Sequence, residues 1–241
     1  MNNRSQLFKD KVVCITGSSR GVGKKLVEYF INEGAVVVGI SRTNDNTNLK
    51  NYHTIQGDIS NAEDMKNAFL EIKNNFGTLD FLINNAGISH SSQAFFLSIN
   101  QASDMINVNF LGAFIVSKEA SKLMMKKKFG RIINIGSICS TVEPIGASIY
   151  SATKAALHSL SNSLAKEFAS FNITSNTIAL SPYPTDMLNT ISQKDVEWYL
   201  NEQKIKRLAT IDDITNVVEF LCSEKSSFIT AQFIQLGGIS T

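Results

Sequence analysis

A buried-strand pattern that breaks into glycines and then into a helix constrains this chain more than any other feature. Lys11-Val-Val-Cys-Ile-Thr16 is short, β-branched and apolar, and it runs into Gly17-Ser-Ser-Arg-Gly21-Val-Gly23. A helical pattern follows, with apolar residues at Val22, Leu26, Val27, Phe30 and Ile31. Gly34 stops it, and Ala35-Val-Val-Val-Gly-Ile40 reads as a second buried strand. Strand, glycine turn, helix and strand make a βαβ unit. Glycines in such a turn let the backbone approach a pyrophosphate closely, and the helix N-terminus adds N–H donors and a favourable dipole. The spacing G-x-x-x-G-x-G departs from the usual G-x-G-x-x-G, so the nucleotide reading rests on the flanking strands and helix together with the glycines.

The end of the second strand bears on which dinucleotide is expected. NAD sites often carry a carboxylate there for the ribose 2′-OH. Here the sequence is Ile40-Ser41-Arg42-Thr43. Arg42, with Arg20 in the glycine turn, suits a 2′-phosphate, because guanidinium groups pair well with phosphate. NADP(H) is therefore the expected cofactor, with NAD(H) as the alternative.

The alternation continues down the chain. His53–Gly57 reads as a third strand ending at Asp58-Ile59, and Ser60-x-x-Glu63 reads as a capping box for a helix that Gly77 stops. Leu79–Ile83 is a fourth strand that runs into Asn84-Asn85-Ala86-Gly87. A long apolar-periodic stretch, about 102–126, contains Asn109 among apolar neighbours. Arg131–Ile135 is a fifth strand that delivers Ser137 just past its end. Ligands of open parallel sheets bind outside the carboxyl ends of the strands, so Gly17, Asn84 and Ser137 are expected to face one crevice. A helix through Tyr150 to about Phe171 and a sixth strand, Asn172–Ala179, come next. An irregular segment follows to about Lys204, and residues 182–205 are expected to act as a substrate lid. Ile211–Cys222 and Gln232–Leu236 are the last helix and strand.

One further span carries chemistry. Ser137, Tyr150 and Lys154 place a hydroxyl, a phenol and an amine close together, and Tyr150 and Lys154 share a face if their segment is helical. A neighbouring ammonium favours the phenolate and lowers the phenol pKa, which suits a proton donor and acceptor. The chain of 241 residues is 43% hydrophobic and 18% charged, with a net charge of +2. That balance gives no electrostatic reason to expect a nucleic-acid or membrane-surface partner. The N-terminal ten residues are polar, no apolar run approaches a membrane span, and Cys14, Cys139 and Cys222 lack disulfide or metal spacing. A cytoplasmic protein with reduced thiols is expected. His53, His90 and His158 lack partners at metal-ligand spacing and read as structural or solvated.

Together, T-G-S-S-R-G-V-G (Thr16–Gly23), Asp58, N-N-A-G (Asn84–Gly87), Asn109, Ser137 and Y-S-A-T-K (Tyr150–Lys154) resemble the short-chain dehydrogenase/reductase family, in that family's order and over nearly the whole chain. The resemblance implies one Rossmann-type, doubly wound α/β domain over residues 1–241. Its seven-stranded sheet should be mostly parallel, with helices on both faces. It implies a cofactor site of Gly17, Ser19, Arg20, Gly21, Val22 and Gly23, then Ser41, Arg42, Asp58 and Ile59, then Asn85, Ala86 and Gly87, with Tyr150, Lys154 and Thr185. Asp58 would meet the adenine and Thr185 the nicotinamide carboxamide. It also implies catalysis by Asn109, Ser137, Tyr150 and Lys154, acting on a small-molecule carbonyl or alcohol substrate, and a homotetramer or homodimer. No metal is implied.

Within the family, G-R-I-I-N-I-G-S, L-A-K-E-F-A-S and T-D-M resemble bacterial β-ketoacyl-acyl-carrier-protein reductases, which implies a 3-oxoacyl thioester that a carrier protein could hold. Three features depart from that pattern. Leu180-Ser181 replaces a Pro-Gly pair, with Pro182 and Pro184 following. Phe171 and Lys128 stand where two basic residues face the carrier. A ketone or alcohol of sugar, polyketide or secondary-metabolite type is the alternative substrate. A catalytically idle dinucleotide-binding scaffold is the alternative from another class.

Overall fold

Strands that are apolar on both sides need cover on both sides, and the chain supplies helices for each. A computed structural model describes residues 6–43, 47, 49–186, 188 and 191–239. Strand β1 (Val12–Thr16) is buried throughout. It is followed by α1 (Gly21–Asn32), β2 (Val36–Ser41), β3 (Tyr52–Gln56), α2 (Ala62–Phe76) and β4 (Phe81–Asn84). Helices α3 (Ile99–Ile106) and α4 (Ala113–Lys127) lead to β5 (Gly130–Ser137). Then come the short α5 (Cys139–Val142), α6 (Ser148–Phe168), β6 (Ile173–Leu180), α7 (Gln193–Glu202), α8 (Ile211–Cys222) and β7 (Phe233–Gln235). The strands form one sheet in the order β3-β2-β1-β4-β5-β6-β7, and every pairing is parallel. The expectation of a Rossmann-type α/β sheet holds, with no antiparallel strand in it.

Period-two alternation sorts the core. Val13 and Ile15 face one side with Leu26 and Phe30 of α1 and Ile214 and Val218 of α8. Cys14, Val38 and Ile40 face the other, with Met65, Phe69 and Ile72 of α2 and Val116, Ala120 and Met124 of α4. Helix α6 lies on β5 and β6 through a more polar seam. There Ser161 and Ser175 hydroxyls meet at 2.9 Å, and the polar seam continues under α4, where Asn84 Nδ2 donates to Ser117 Oγ (2.8 Å) and Asn134 Oδ1 (2.9 Å).

Several expected boundaries move for identifiable reasons. The cap of α2 is Asn61, whose side chain accepts from Glu63 N and Asp64 N. Ser60 is not the cap, because its hydroxyl and N–H both go to Asp58 Oδ1, at 2.7 and 2.9 Å. The long helical stretch is not continuous: residues Asn107–Gly112 form a π-turn between α3 and α4. The expected irregular lid contains α7, capped by Ser192, and Met187 of the T-D-M stretch lies outside the described residues. The basic run does close a helix. Lys128 is the left-handed cap of α4, and Lys127 turns back to Asp80.

Asp80 anchors the amino end of the sheet. It is fully buried, accepts from Val12 N at 3.0 Å and pairs with Lys127 Nζ at 2.5 Å. Lys127 is partly exposed and can turn to water, whereas the Val12 N–H cannot. An Asp80→Ala variant is therefore expected to lose about 2 kcal/mol of unfolding free energy, mainly from that orphaned donor. Urea denaturation of the two proteins checks this.

Candidate active site

The strand order reverses between β1 and β4, and a crevice opens between their carboxyl ends. The loops after both strands are tied together there. Thr16 Oγ1 accepts from Asn85 N (3.0 Å) and Ala86 N (3.1 Å). Asn85 Nδ2 donates to Thr16 O (2.9 Å) and Gly17 O (3.2 Å). So close an approach leaves no room for side chains on the turn. A Cβ on Gly17 would sit 2.8 Å from Ala86 Cα, one on Gly23 would run into the Gly17 carbonyl oxygen, and Gly17 and Gly21 both have positive φ. Helix α1 begins at Arg20, which is extended and makes no side-chain cap, so the first N–H groups of the helix are not satisfied by a capping side chain. A cradle of bare backbone donors fits a pyrophosphate.

The remaining expected cofactor residues gather around this turn. Thr185 Cγ2 lies 3.4 Å from the place a Cβ on Gly21 would take, so it stands over the helix start. Ser41 Oγ donates to Thr43 O (2.6 Å), and Thr43 Oγ1 donates to Ser19 Oγ (3.5 Å), which links the turn to the end of β2. Arg42 and Asp58 line one open cleft of about 490 Å³, with Gln56 and Gly57. Burial pushes the Asp58 carboxyl up. The bonds from Ser60 and the charge of Arg42 outweigh that and leave it below the ordinary value. Arg20 is exposed. The side chain of Ile59 packs into one core and that of Val22 packs, partly buried, against the other. Asn84 does not face the crevice as expected. It is buried and points toward Ser117 of α4 and Asn134 of β5.

A second group converges beside the cradle. Lys154 is buried on α6, and its amine donates to Ile135 O at 2.8 Å while lying 5.9 Å from the Tyr150 ring centroid. Burial pulls the Lys154 amine down to about 8, against a smaller opposing pull from Cys139. The Tyr150 phenol moves the other way from the expected lowering. Burial pushes it up, Cys139 adds to the rise, and the hydrogen bond with Ser137 opposes it. Asn109 sits in the π-turn, a distortion often found at functional positions. Its Nδ2 donates to Ile88 O (2.9 Å) and Thr153 Oγ1 (3.1 Å), and its Oδ1 accepts from Ile88 N (2.8 Å). Gly87 separates Asn109 Oδ1 from Lys154 Nζ: a Cβ there would lie 3.3 Å from one and 3.5 Å from the other. The four expected catalytic residues therefore lie in one group: Ser137 bonds the Tyr150 phenol, Lys154 lies beside the Tyr150 ring, and Gly87 stands between Lys154 and Asn109.

Sequence reading missed the supporting groups. Thr16 and Thr153 lie within motifs that had been singled out, and a Thr after a buried strand or one turn from a buried Asn was the available signal. Cys139, whose N–H donates to Ser137 Oγ at 3.2 Å, and Tyr199 of α7 gave none. An adjoining cleft of about 480 Å³ runs between Phe95, Ile145 and the Ser151–Ala155 flank of α6. Phe95 and Ile145 are 77% and 91% exposed, so this apolar mouth faces outward. Among the described residues, no cluster of His, Cys, Asp or Glu could hold a metal ion, and no helix is long and apolar enough to cross a membrane.

Parallel α/β order, a glycine cradle at the switch point and a Tyr–Lys pair beside it define a dinucleotide-dependent oxidoreductase. The chain belongs to the short-chain dehydrogenase family, whose model matches residues 11–196. It is 33% identical over 237 residues to the 3-oxoacyl-acyl-carrier-protein reductase of Salmonella typhimurium, covering 96% of this chain and 97% of the relative. The reductases of the same name from Aquifex aeolicus (32% over 241 residues, 96% and 97% covered) and Buchnera aphidicola (35% over 235 residues, 95% and 96%) are similar to it over the same extent.

The cradle makes its own prediction. A Gly23→Ala variant should fold, as judged by far-UV circular dichroism. It should lose nicotinamide-dinucleotide affinity by about tenfold or more in a fluorescence titration, because the added methyl must push the turn away from Asn85.

Proposed function

We propose that this chain reduces the ketone of a 3-oxoacyl thioester with NADPH. One observation carries the reading: Ser137, Tyr150, Lys154 and Asn109 follow one another as neighbours beside the glycine cradle, with Gly87 between Lys154 and Asn109. Gly17, Gly21, Gly23 and the start of α1 would hold the pyrophosphate, and Asp58 the adenine. Arg42, with Arg20, would take the 2′-phosphate, and Asn85 to Gly87 would line the cleft. Thr185 would meet the carboxamide. The dinucleotide supplies the hydride when bound.

The chain's own residues handle the proton. Burial keeps the Tyr150 phenol protonated, so it is a competent donor to the substrate carbonyl oxygen. The Ser137 hydroxyl bonds the same oxygen as negative charge develops there. With its amine held at about 8, Lys154 stays cationic through the neutral range, where it stabilises the phenolate that proton transfer leaves behind. Both Nδ2 hydrogens of Asn109 are committed to Ile88 and Thr153, but Oδ1 keeps one lone pair. Gly87 provides the room for a water between that oxygen and Lys154, through which the proton is resupplied.

A cytoplasmic homo-oligomer fits this reading. Ile99, Ile106, Leu111 and Phe114 form an exposed apolar row along α3, the π-turn and α4, which favours association between copies. Phe171 packs against the core near one end of the sheet and offers no cation. That favours a small or weakly carrier-held ketone, including sugar and polyketide types, over tight docking of an acidic carrier. The idle-scaffold reading predicts NADPH binding without turnover.

Two measurements test these assignments. Purified protein should oxidise NADPH in the presence of an acetoacetyl thioester. Tyr150→Phe should lower kcat by roughly 10²–10⁴-fold with NADPH binding retained, and undiminished turnover in that variant would sink the mechanism. Arg42→Ala should weaken NADPH binding about tenfold, the loss of one charge-assisted contact, while NADH binding stays as it was. Equal effects on the two dinucleotides would point to NAD(H).

A further inference from the structure

Helix α7 buries none of its residues, yet one of its side chains reaches the floor of the site. The phenol oxygen of Tyr199 lies 3.5 Å from the sulfur of Cys139. Cys139 also donates its backbone N–H to Ser137 Oγ at 3.2 Å, so one residue touches both the lid phenol and the hydroxyl assigned to the substrate oxygen. The phenol is held in place from two sides. Trp198 stands edge-on to the Tyr199 ring with centroids 5.2 Å apart. The end of α7 is fixed by Gln203, which is buried and bridged to Ile239, and by Lys204 N, which donates to Gly237 O (3.0 Å) and Gly238 O (2.9 Å).

A thiol is a weak hydrogen-bond partner, so the phenol can exchange it for a carbonyl oxygen at little cost. The reacting ketone oxygen is taken by Ser137 and Tyr150. Any oxygen that Tyr199 reaches belongs to a neighbouring group of the same substrate. Burial, with a smaller contribution from Cys139, pushes the Tyr199 phenol up and keeps it a donor.

We propose that Tyr199 is a specificity-determining residue whose phenol donates to a second carbonyl of the substrate, two carbons from the ketone that is reduced. The site would thereby select 1,3-dicarbonyl substrates, such as 3-oxoacyl thioesters, over simple ketones. This deepens the reading above and rests on it.

The test compares kcat/KM, with NADPH saturating, for an acetoacetyl thioester and for a monoketone of similar length. The ratio of the two is the readout, because a merely structural change lowers both alike. In Tyr199→Phe the dicarbonyl-to-monoketone ratio should fall about tenfold, mainly through KM of the thioester, with NADPH affinity by fluorescence as the check on an intact site. Tyr199→His, which keeps a donor, should recover part of the ratio and covers the case in which the Phe variant folds poorly. An unchanged ratio in a folded Tyr199→Phe protein overturns the inference and leaves the carbonyl-reductase reading standing. Failure of the unaltered chain to reduce either ketone, despite NADPH binding, overturns that reading and this inference together.

Discussion

Everything at the site depends on how closely the loops after β1 and β4 approach. Four hydrogen bonds cross the gap between them: two join Asn85 to Thr16, one joins Asn85 to Gly17 and one joins Ala86 to Thr16. Those bonds replace the lateral ladder where the two strands end. They pull the glycine turn against Ala86, and they set the orientation of the chain as it runs on to Gly87. Glycine at positions 17 and 23 is the consequence, since any Cβ would meet backbone. The cradle is thus a by-product of satisfying buried backbone donors and acceptors at a sheet end, where unpaired groups are costly.

The second constraint is the burial of an amine. Lys154 lies almost wholly inside the protein, and the Ile135 carbonyl is its only hydrogen-bond acceptor among the described residues. Burying an ammonium with one neutral partner is unfavourable, and the fall of its pKa to about 8 expresses that. A group held near the edge of ionisation answers readily to charge appearing next to it. Tyr150 is the neighbour where such charge would appear. The two shifts run in opposite senses, down for the amine and up for the phenol, and a single cause, desolvation, dominates both.

Much of this was legible in the residues. Buried strands announced themselves as β-branched runs at Val12–Thr16 and Val36–Ser41, and the sheet order follows from the βαβ alternation they begin. The proposed catalytic group was readable because its members are polar residues in apolar surroundings, as Asn109 is, or a spaced pair, as Tyr150 and Lys154 are. What escaped was whatever depends on competition among neighbours. Ser60 had the spacing of a cap but was taken by Asp58, and Asn61 took its place. Asn84 belongs to the same Asn-Asn pair as Asn85. The pleat sends one to the crevice and the other to the polar seam, where Ser117 and Asn134 wait for it. The lowering of the Tyr150 pKa was inferred from the adjacent cation alone, and it failed because the same burial that brings the pair together disfavours both charges. Tyr199 lies 60 positions from Cys139, and no local pattern encodes a contact of that kind.

The π-turn at Asn107–Gly112 holds one residue more than a regular turn, and Asn109 lies in its middle. Upstream, α3 is set by the Ser98–Gln101 capping box. Downstream, α4 is set by Val116, Ala120 and Met124 against the sheet. Each helix has its rotational phase fixed independently, and the wide turn takes up the mismatch. Loss of one residue from this stretch would close the wide turn into a regular α-turn, and because the π-turn already absorbs that residue, the helices on either side would keep their phase. The change would fall on the turn itself, and Asn109 would be drawn off the bulge and away from Ile88. The extra residue thus acts as an offset: it displaces one polar side chain toward the crevice and leaves the seating of a core helix untouched.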